Sequence, residues 1–229
     1  MLLSGTALLF DDPFAFLALG LAVIISLVAG ITIHECSHAV SARALGDDTA
    51  AMMGRITLNP RSHLDPVGSL LLLIAGFGWG KPVPVNPDHI RGGRLGMAFV
   101  AAAGPLSNMV LAALLGVLFQ IGILESGSFT RSSLQSLDPA AWIVFIASYC
   151  VLLNLVLAAF NLLPIHPLDG GNILAGIMPR SMLPLVQTLQ TFGPIVLVIV
   201  VMLSLATDIS VLSFLFGPIM SLADYLVGS

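Results

Sequence analysis

Two histidines and a glutamate stand at a spacing that suits metal chemistry. In His34-Glu35-Cys36-Ser37-His38 the histidines are four residues apart, so a helix would place both imidazoles on one face. Neutral imidazole nitrogens are good zinc ligands, and Glu35 could take a proton from a metal-bound water. The pattern therefore indicates metal-assisted peptide hydrolysis. Because a charged group is costly inside an apolar stretch, Glu35 argues against a chance occurrence.

A third ligand must come from elsewhere, because a catalytic zinc ion normally takes three protein ligands and keeps one position open. The best candidate is Asp169, within residues 161–171 (N-L-L-P-I-H-P-L-D-G-G). Pro164 and Pro167 should end a helix here and leave backbone groups unpaired. Such backbone is tolerated at membrane depth only where it lines protein or a watery cavity, which hydrolysis needs. The alternative is an ordinary interfacial turn.

The chain as a whole is strongly apolar. Of its 229 residues 57% are hydrophobic and 9% are charged, with a mean hydropathy of +1.03, which argues against a water-soluble fold. No basic run exceeds two residues, so nucleic acid is not an expected partner. Five apolar stretches are long enough to cross about 30 Å of hydrocarbon as helices: residues 14–45, 95–123, 139–163, 185–206 and 210–227. The last contains Pro218 and Asp224, so it either spans the bilayer or lies along the interface.

Residues 65–79 are apolar but short for a spanning helix, and we expect them to enter and leave the membrane on one side. With the N-terminus outside, this re-entrant arrangement leaves only Arg131 outside and puts seven of the eight basic residues in the cytoplasm, as the charge rule requires. These seven are Arg43, Arg55, Arg61, Lys81, Arg91, Arg94 and Arg180. If residues 65–79 span instead, the bias disappears, and His34 and Asp169 would tend to lie near opposite faces.

The predicted fold is therefore an all-α multi-pass membrane protein. It has about five spanning helices, a re-entrant segment with short β-like strands, and a zinc site within the membrane near the cytoplasmic side. We expect one membrane-embedded domain over residues 1–229, without room for an appended soluble domain.

The two motifs together resemble the site-2 protease family of intramembrane zinc metalloproteases, in which an H-E-x-x-H helix is joined by an aspartate from an L-D-G motif. Further segments share the resemblance: residues 58–60 (L-N-P), 63–68 (H-L-D-P-V-G), 77–87 (F-G-W-G-K-P-V-P-V-N-P) and 104–108 (G-P-L-S-N). It covers residues 30–175 and is closest to a compact prokaryotic branch without a PDZ or nucleotide-sensing domain.

This resemblance implies that His34, His38 and Asp169 hold one zinc ion per chain and that Glu35 is the general base. Asn161 matches an asparagine proposed to lie by the active site. Its amide could bind the developing oxyanion or the substrate strand, or else cap freed backbone carbonyls. The resemblance also suggests that Val83-Pro84-Val85 is a strand-like element that could pair with substrate backbone.

The implied function is hydrolysis of peptide bonds in or near transmembrane segments, in regulated intramembrane proteolysis at the cell membrane. The expected partners are the bilayer and single-span membrane proteins or leftover signal peptides, with prior trimming by another protease as one form of gating. One alternative is a proteolytically inactive, zinc-binding regulatory homologue, against which the intact Glu35 argues. Another is a small transporter, which predicts a repeat symmetry that the sequence does not show.

Four other residues keep more than one interpretation. His166 stands where the family usually has proline, and could supplement or replace Asp169, shuttle protons, or be a surface histidine. His63 and Asp65 could form a second-shell pair or an additional metal site, or belong to a polar loop. Asn108 could take part in catalysis or only in helix packing.

Overall fold

The computed structural model describes residues 11–68, 80–126, 130–206 and 211–228, which are mainly helical. Their α-helices are α1 (Pro13–Ala44), α2 (Thr49–Met52), α3 (Gly93–Gln120), α4 (Arg131–Gln135), α5 (Pro139–Asn161), α6 (Asp169–Ile177), α7 (Leu183–Ala206) and α8 (Val211–Val227). Short 3₁₀ turns occur at Pro60–Ser62 and Arg180–Met182. The part of the chain described contains no sheet, and a single antiparallel bridge joins Leu64 to Gly80.

Helices α1 and α5 begin in the same way. Each has proline at its first position, where the missing N–H costs nothing, and an aspartate at the N-cap. Asp12 accepts a hydrogen bond from Ala15 N at 3.1 Å, and Asp138 accepts one from Ala140 N at 3.0 Å. Arg131 pairs with Asp12 at 2.7 Å. This pair ties the start of α1 to α4, at the end of the bundle that also holds the start of α5.

Helix α1 packs through a row of buried residues spaced by four. Most of them are small, and the two histidines belong to the same row. It comprises Ala18, Ala22, Ser26, Gly30, His34, His38 and Ala42. Helix α3 presents a matching buried row, which comprises Gly96, Val100, Gly104, Asn108, Ala112 and Gly116. The two helices run antiparallel, since Asn108 Nδ2 donates to Gly30 O at 3.1 Å while His38 Nδ1 contacts Val100 O at 2.8 Å. Small residues let the two backbones approach closely at the depth of the histidines.

Among the described residues, three helices, α1, α3 and α5, are long and apolar enough to cross a membrane. Their outer faces expose large apolar side chains, such as Leu21, Ile24, Val110 and Leu114, while small and polar residues are buried. That distribution suits a lipid environment. Three of the five predicted spans thus correspond to candidate spanning helices with nearly the predicted bounds, and α7 and α8 coincide with the other two apolar stretches. Residues 69–79, which make up most of the predicted re-entrant segment, lie outside the described residues.

Candidate metal centre

Three of the predicted site residues converge between α1 and α6. His34 Nε2 lies 3.1 Å from His38 Nε2 and 3.0 Å from Asp169 Oδ2, and His38 Nε2 lies 3.3 Å from Asp169 Oδ1. Ligand atoms of a tetrahedral zinc ion with bonds of about 2.0–2.1 Å are separated by roughly 3.3 Å. Among the described residues, these three form the group of histidine, cysteine and acidic side chains that could hold a metal ion.

The second nitrogen of each imidazole is already engaged. His34 Nδ1 contacts Asn108 Oδ1 at 2.7 Å, and His38 Nδ1 contacts Val100 O at 2.8 Å. A carbonyl oxygen can only accept, so each neutral ring carries its hydrogen on Nδ1 and a lone pair on Nε2. Hydrogen bonds of this kind orient histidines that ligate metals.

The amide of Asn108 is oriented in turn by its own donors. Asn108 is fully buried and donates to Gly30 O at 3.1 Å and to Asn154 Oδ1 at 2.8 Å. Asn154, also fully buried, donates to Cys150 O at 2.8 Å. A polar chain thus runs from the metal-facing ring of His34 into α5. The role of Asn154 was missed from sequence, and its signal was an amide inside an otherwise apolar helix.

The donor set fits a zinc ion. Two imidazole lone pairs and a carboxylate point at one another in a buried site, and Asp169 Oδ2 is a buried atom without a hydrogen-bond partner. Three acceptors at such distances repel one another unless a cation lies between them. Burial raises the pKa of the Asp169 carboxyl, but the adjacent imidazoles of His34 and His38 bring it down overall to about 2. The carboxylate is therefore ionised at neutral pH, as a metal ligand must be.

Gly104 in α3 leaves the space that this centre needs. A Cβ atom at position 104 would lie 2.5 Å from His38 Nε2 and 2.6 Å from His34 Nε2. Only glycine can therefore occupy this position while both rings keep their places. Residues 104–108 (G-P-L-S-N) thus contribute to the metal centre in two ways. Gly104 leaves room for the two imidazoles, and the amide of Asn108 binds His34.

Glu35 lies beside the centre and next to an extended segment. His34, His38, Asp169 and His63 all lie close enough to Glu35 to influence its carboxylate electrostatically. A Cβ atom at Gly80 would lie 3.2 Å from Glu35 Oε1, so the main chain at position 80 passes directly beside the carboxylate. The geometry suits a base that exchanges protons at the edge of the metal site.

Asp169 opens the short helix α6, so it stands neither in the irregular backbone that the sequence favoured nor in the interfacial turn that was the alternative. Helix α5 ends at Asn161, and its continuation packs closely on the start of α6: a Cβ atom at Gly170 would lie 2.2 Å from Leu163 O. At the other end, a Cβ atom at Gly176 would lie 2.4 Å from Ala98 Cβ. The glycines of α6 therefore allow the helix to lie against both neighbours.

Two further candidates from the sequence, Asn161 and His166, are not members of this ligand group. Asn161 Nδ2 donates to Leu157 O at 3.0 Å within its own helix, which matches the capping interpretation. His166 is exposed and lines a polar cleft of about 410 Å³ with Asn172, Gln187, Gln190 and Thr191. This location favours a surface histidine.

His63 and Asp65 have separate hydrogen-bond partners. His63 is fully buried, with Nε2 2.8 Å from Thr57 O, while its Nδ1 has no partner among the described residues. Asp65 accepts a hydrogen bond from Gly68 N at 2.8 Å. The contacts thus favour a loop role for both residues over a shared metal site.

A helical, membrane-embedded protein with this constellation has the features of a zinc-dependent metallopeptidase. The model of Peptidase family M50 matches residues 22–205, and the chain belongs to that family, the site-2 protease family. It is accordingly a metallopeptidase, and its cofactor is zinc.

Curated relatives agree with this assignment. Three of them have names that begin "Putative zinc metalloprotease". YwhC of Bacillus subtilis is 39% identical over 194 residues, covering 82% of this chain and 84% of the relative. Rip2 of Mycobacterium tuberculosis is 32% identical over 167 residues, covering 69% and 58%. MJ0611 of Methanocaldococcus jannaschii is 30% identical over 162 residues, covering 67% and 71%. No solved structure matches the chain significantly.

Proposed function

We propose that this metallopeptidase hydrolyses peptide bonds in or near the transmembrane segments of single-span membrane proteins or leftover signal peptides. One observation carries the proposal: the Nε2 atoms of His34 and His38 and the carboxylate of Asp169 converge beside Glu35. The two histidines belong to a helix that is long and apolar enough to cross the membrane. Substrates of the enzyme would therefore reach the metal centre from within the bilayer.

Each residue has a defined role in this proposal. His34, His38 and Asp169 would hold the zinc ion, which when bound acidifies a coordinated water and polarises the scissile carbonyl. Glu35 accepts a proton at its carboxylate and returns it to the nitrogen of the leaving amine. Asn161 Nδ2 keeps one hydrogen that Leu157 O does not take, and it could donate that hydrogen to the substrate carbonyl oxygen.

Substrate pairing falls to residues 83–85. Among the described residues, the backbone N–H and C=O groups of Val83 and Val85 have no hydrogen-bond partner, so they are available to an extended substrate. A transmembrane helix hides its peptide bonds in internal hydrogen bonds. Pairing of this kind would hold the locally unwound substrate next to Glu35.

We further propose the cytoplasmic side of the cell membrane as the location of the active site. Helices α7 and α8 would complete five spans, with residues 65–79 re-entrant and the N-terminus outside. Seven of the eight basic residues then face the cytoplasm, as is usual for short loops. Trimming by another protease could precede cleavage.

The proposal is tested with purified protein in detergent and a generic single-span fusion substrate. We expect cleavage that a chelator abolishes and added zinc restores, and mass spectrometry should place the cut bond in or near the substrate span. A control substrate with a helix-stabilising polyleucine span should be cut more slowly. Zinc binding without cleavage of any of several substrates would favour the regulatory homologue instead.

A further inference from the structure

The extended segment that follows Gly80 is fastened to the loops after α1 at both of its ends. At its start, Lys81 N donates to His63 O at 2.7 Å. At its end, Asn86 N donates to Asp47 Oδ2 at 2.7 Å. Between these two points lie Val83, Pro84 and Val85, the residues proposed to pair with substrate.

A buried arginine holds the first end. The Arg55 side chain donates to Ser62 O, to Lys81 O at 3.3 Å and to Pro82 O at 2.6 Å, and Arg55 is only 5% exposed. The salt bridges of the described residues do not include Arg55, so carbonyl oxygens solvate its charge. The planar guanidinium reaches Ser62 O through Nη1 and the carbonyl oxygens of Lys81 and Pro82 through Nη2, a fixed fork of donors that an ammonium group does not have.

A buried aspartate holds the second end. Asp47 is fully buried, and besides Asn86 N it accepts from the N–H and the hydroxyl of Thr49. His89 Nδ1 lies 3.5 Å from Asp47 Oδ1. A charged carboxylate without access to water is expensive, and here backbone and side-chain donors offset that cost.

The two anchors set the position of the segment along α1. Gly80 lies beside Ile31 and Glu35, whereas Val85 packs on the cluster that contains Ala42 and Val100. The segment therefore follows the metal-binding part of α1 in the same direction. A shift by one residue would exchange the groups that face a bound strand.

We propose that Arg55 and Asp47 are positioning residues, which hold residues 81–86 in register with Glu35 and thereby present the substrate's peptide bond to the metal centre. The inference rests on the proposed function, because it assumes that Val83 and Val85 pair with substrate. It assigns to both residues an effect on substrate binding rather than on zinc.

The test compares matched variants of the full-length protein. Arg55→Met removes the donors and Arg55→Lys keeps only the charge, with Arg61→Met, an exposed arginine in the same loop, as the control. Asp47→Asn is paired with Asp48→Asn, whose carboxylate is exposed. The readouts are apparent KM and kcat, zinc content and melting temperature.

We expect Arg55→Met to raise apparent KM about tenfold or more, with kcat changed less than about threefold, because it removes charge-assisted hydrogen bonds. Zinc content should stay at one ion per chain. Arg55→Lys should fall between Arg55→Met and the wild type, and Asp47→Asn should also raise KM. Both control variants should match the wild type. An unchanged KM with a lower kcat or less zinc would mean that Arg55 only supports folding, and would overturn the inference.

A second measurement does not depend on cleavage. A photo-crosslinking amino acid at position 83, in a Glu35→Gln background, should capture the single-span substrate, and adding Arg55→Lys should reduce the yield several-fold. Equal yields with and without Arg55→Lys would contradict the positioning role. Absence of wild-type cleavage would count against the proposed function, whereas this yield still decides the inference.

Discussion

Single residues determine how the two imidazoles face the metal position. The Nδ1 atoms of His34 and His38 are bound to Asn108 Oδ1 and Val100 O, so both Nε2 lone pairs turn toward Asp169. Because both rings are fixed from behind, the site does not have to reorganise when zinc binds. Loss of one of these outer hydrogen bonds should therefore weaken zinc binding.

We predict that Asn108→Leu weakens zinc binding about 10- to 100-fold, the usual loss when a histidine ligand loses its outer hydrogen bond. Competition with a chromophoric chelator measures the affinity. The control is Ser107→Ala, since the Ser107 hydroxyl bonds only Gly104 O of its own helix. An affinity equal to that of the wild type would contradict the orienting role of Asn108.

A second prediction concerns Gly104. Gly104→Ala should abolish stoichiometric zinc binding and cleavage, because its Cβ atom would lie 2.5 Å from His38 Nε2. Gly20→Ala in α1 is the matched control, since a Cβ atom there meets nothing within 4 Å. Zinc analysis of both variants provides the measurement, and a Gly104→Ala protein with a full zinc site would show that the rings can move aside.

For single residues, the sequence predicts the features that depend on a short stretch of chain. The spacing of His34 and His38 is enough to place both rings on one face, and the L-D-G motif points to Asp169 by resemblance. The bond from His34 to Asn108 joins residues 74 positions apart and depends on how α1 and α3 pack, which no short pattern encodes. For the same reason the contact of Asn154 with Asn108 was not predicted.

Among the elements, helix α6 has the most consequential position, because it carries Asp169 to the two histidines of α1. Arg94 fixes its far end: the guanidinium donates to Ala175 O and, at 2.7 Å, to Met178 O. A cation is favourable at a helix C-terminus, where carbonyl groups lack partners. Arg94 thus links the start of α3 to the helix of the third ligand.

We predict that Arg94→Met lowers zinc affinity about tenfold, since α6 loses charge-assisted hydrogen bonds that hold it against α3. Arg180→Met, at an exposed arginine in the next turn, should leave affinity unchanged. Chelator competition again gives the readout. If zinc affinity is retained while only the melting temperature falls, Arg94 stabilises the fold without positioning Asp169.

The elements differ in how far their sequences reveal them. The apolar runs alone predicted the bounds of α1 and α5 to within two residues, and the structure adds an aspartate cap and a first-turn proline at the start of each helix. Helix α6 was not predicted, because D-G-G-N-I-L-A-G-I contains three glycines, which disfavour helix. Close packing at Gly170 and Gly176 overrides that propensity.

For the whole molecule, the re-entrant arrangement makes a prediction about sidedness. Single cysteines introduced at the exposed positions Ser132, Asp88 and Ser181 can be probed in intact cells with a membrane-impermeant thiol reagent. We expect Ser132→Cys to react from outside, and Asp88→Cys and Ser181→Cys to react only after permeabilisation. The unsubstituted chain, whose two cysteines are half-buried, provides the background.

The opposite labelling pattern would contradict this topology: either residues 65–79 cross the membrane or the N-terminus lies inside, because each change reverses the side of all three positions. Apolar runs and basic residues suggest spans and sidedness, since both are sums over many residues. Apolar runs and basic residues do not determine which helices pack against each other. That information lies in the rows of buried residues spaced by four in α1 and α3, whose partners only the folded chain reveals.

The central claim is that Glu35 performs proton transfer at a zinc ion held by its neighbours, and Glu35→Gln tests it most directly. Zinc content and cleavage of the single-span substrate are measured on the same preparations of wild type and variant. The account predicts one zinc ion per chain in both and a loss of cleavage in Glu35→Gln of about 10²-fold or more, as expected for removal of a general base. Cleavage by Glu35→Gln at the wild-type rate would contradict it.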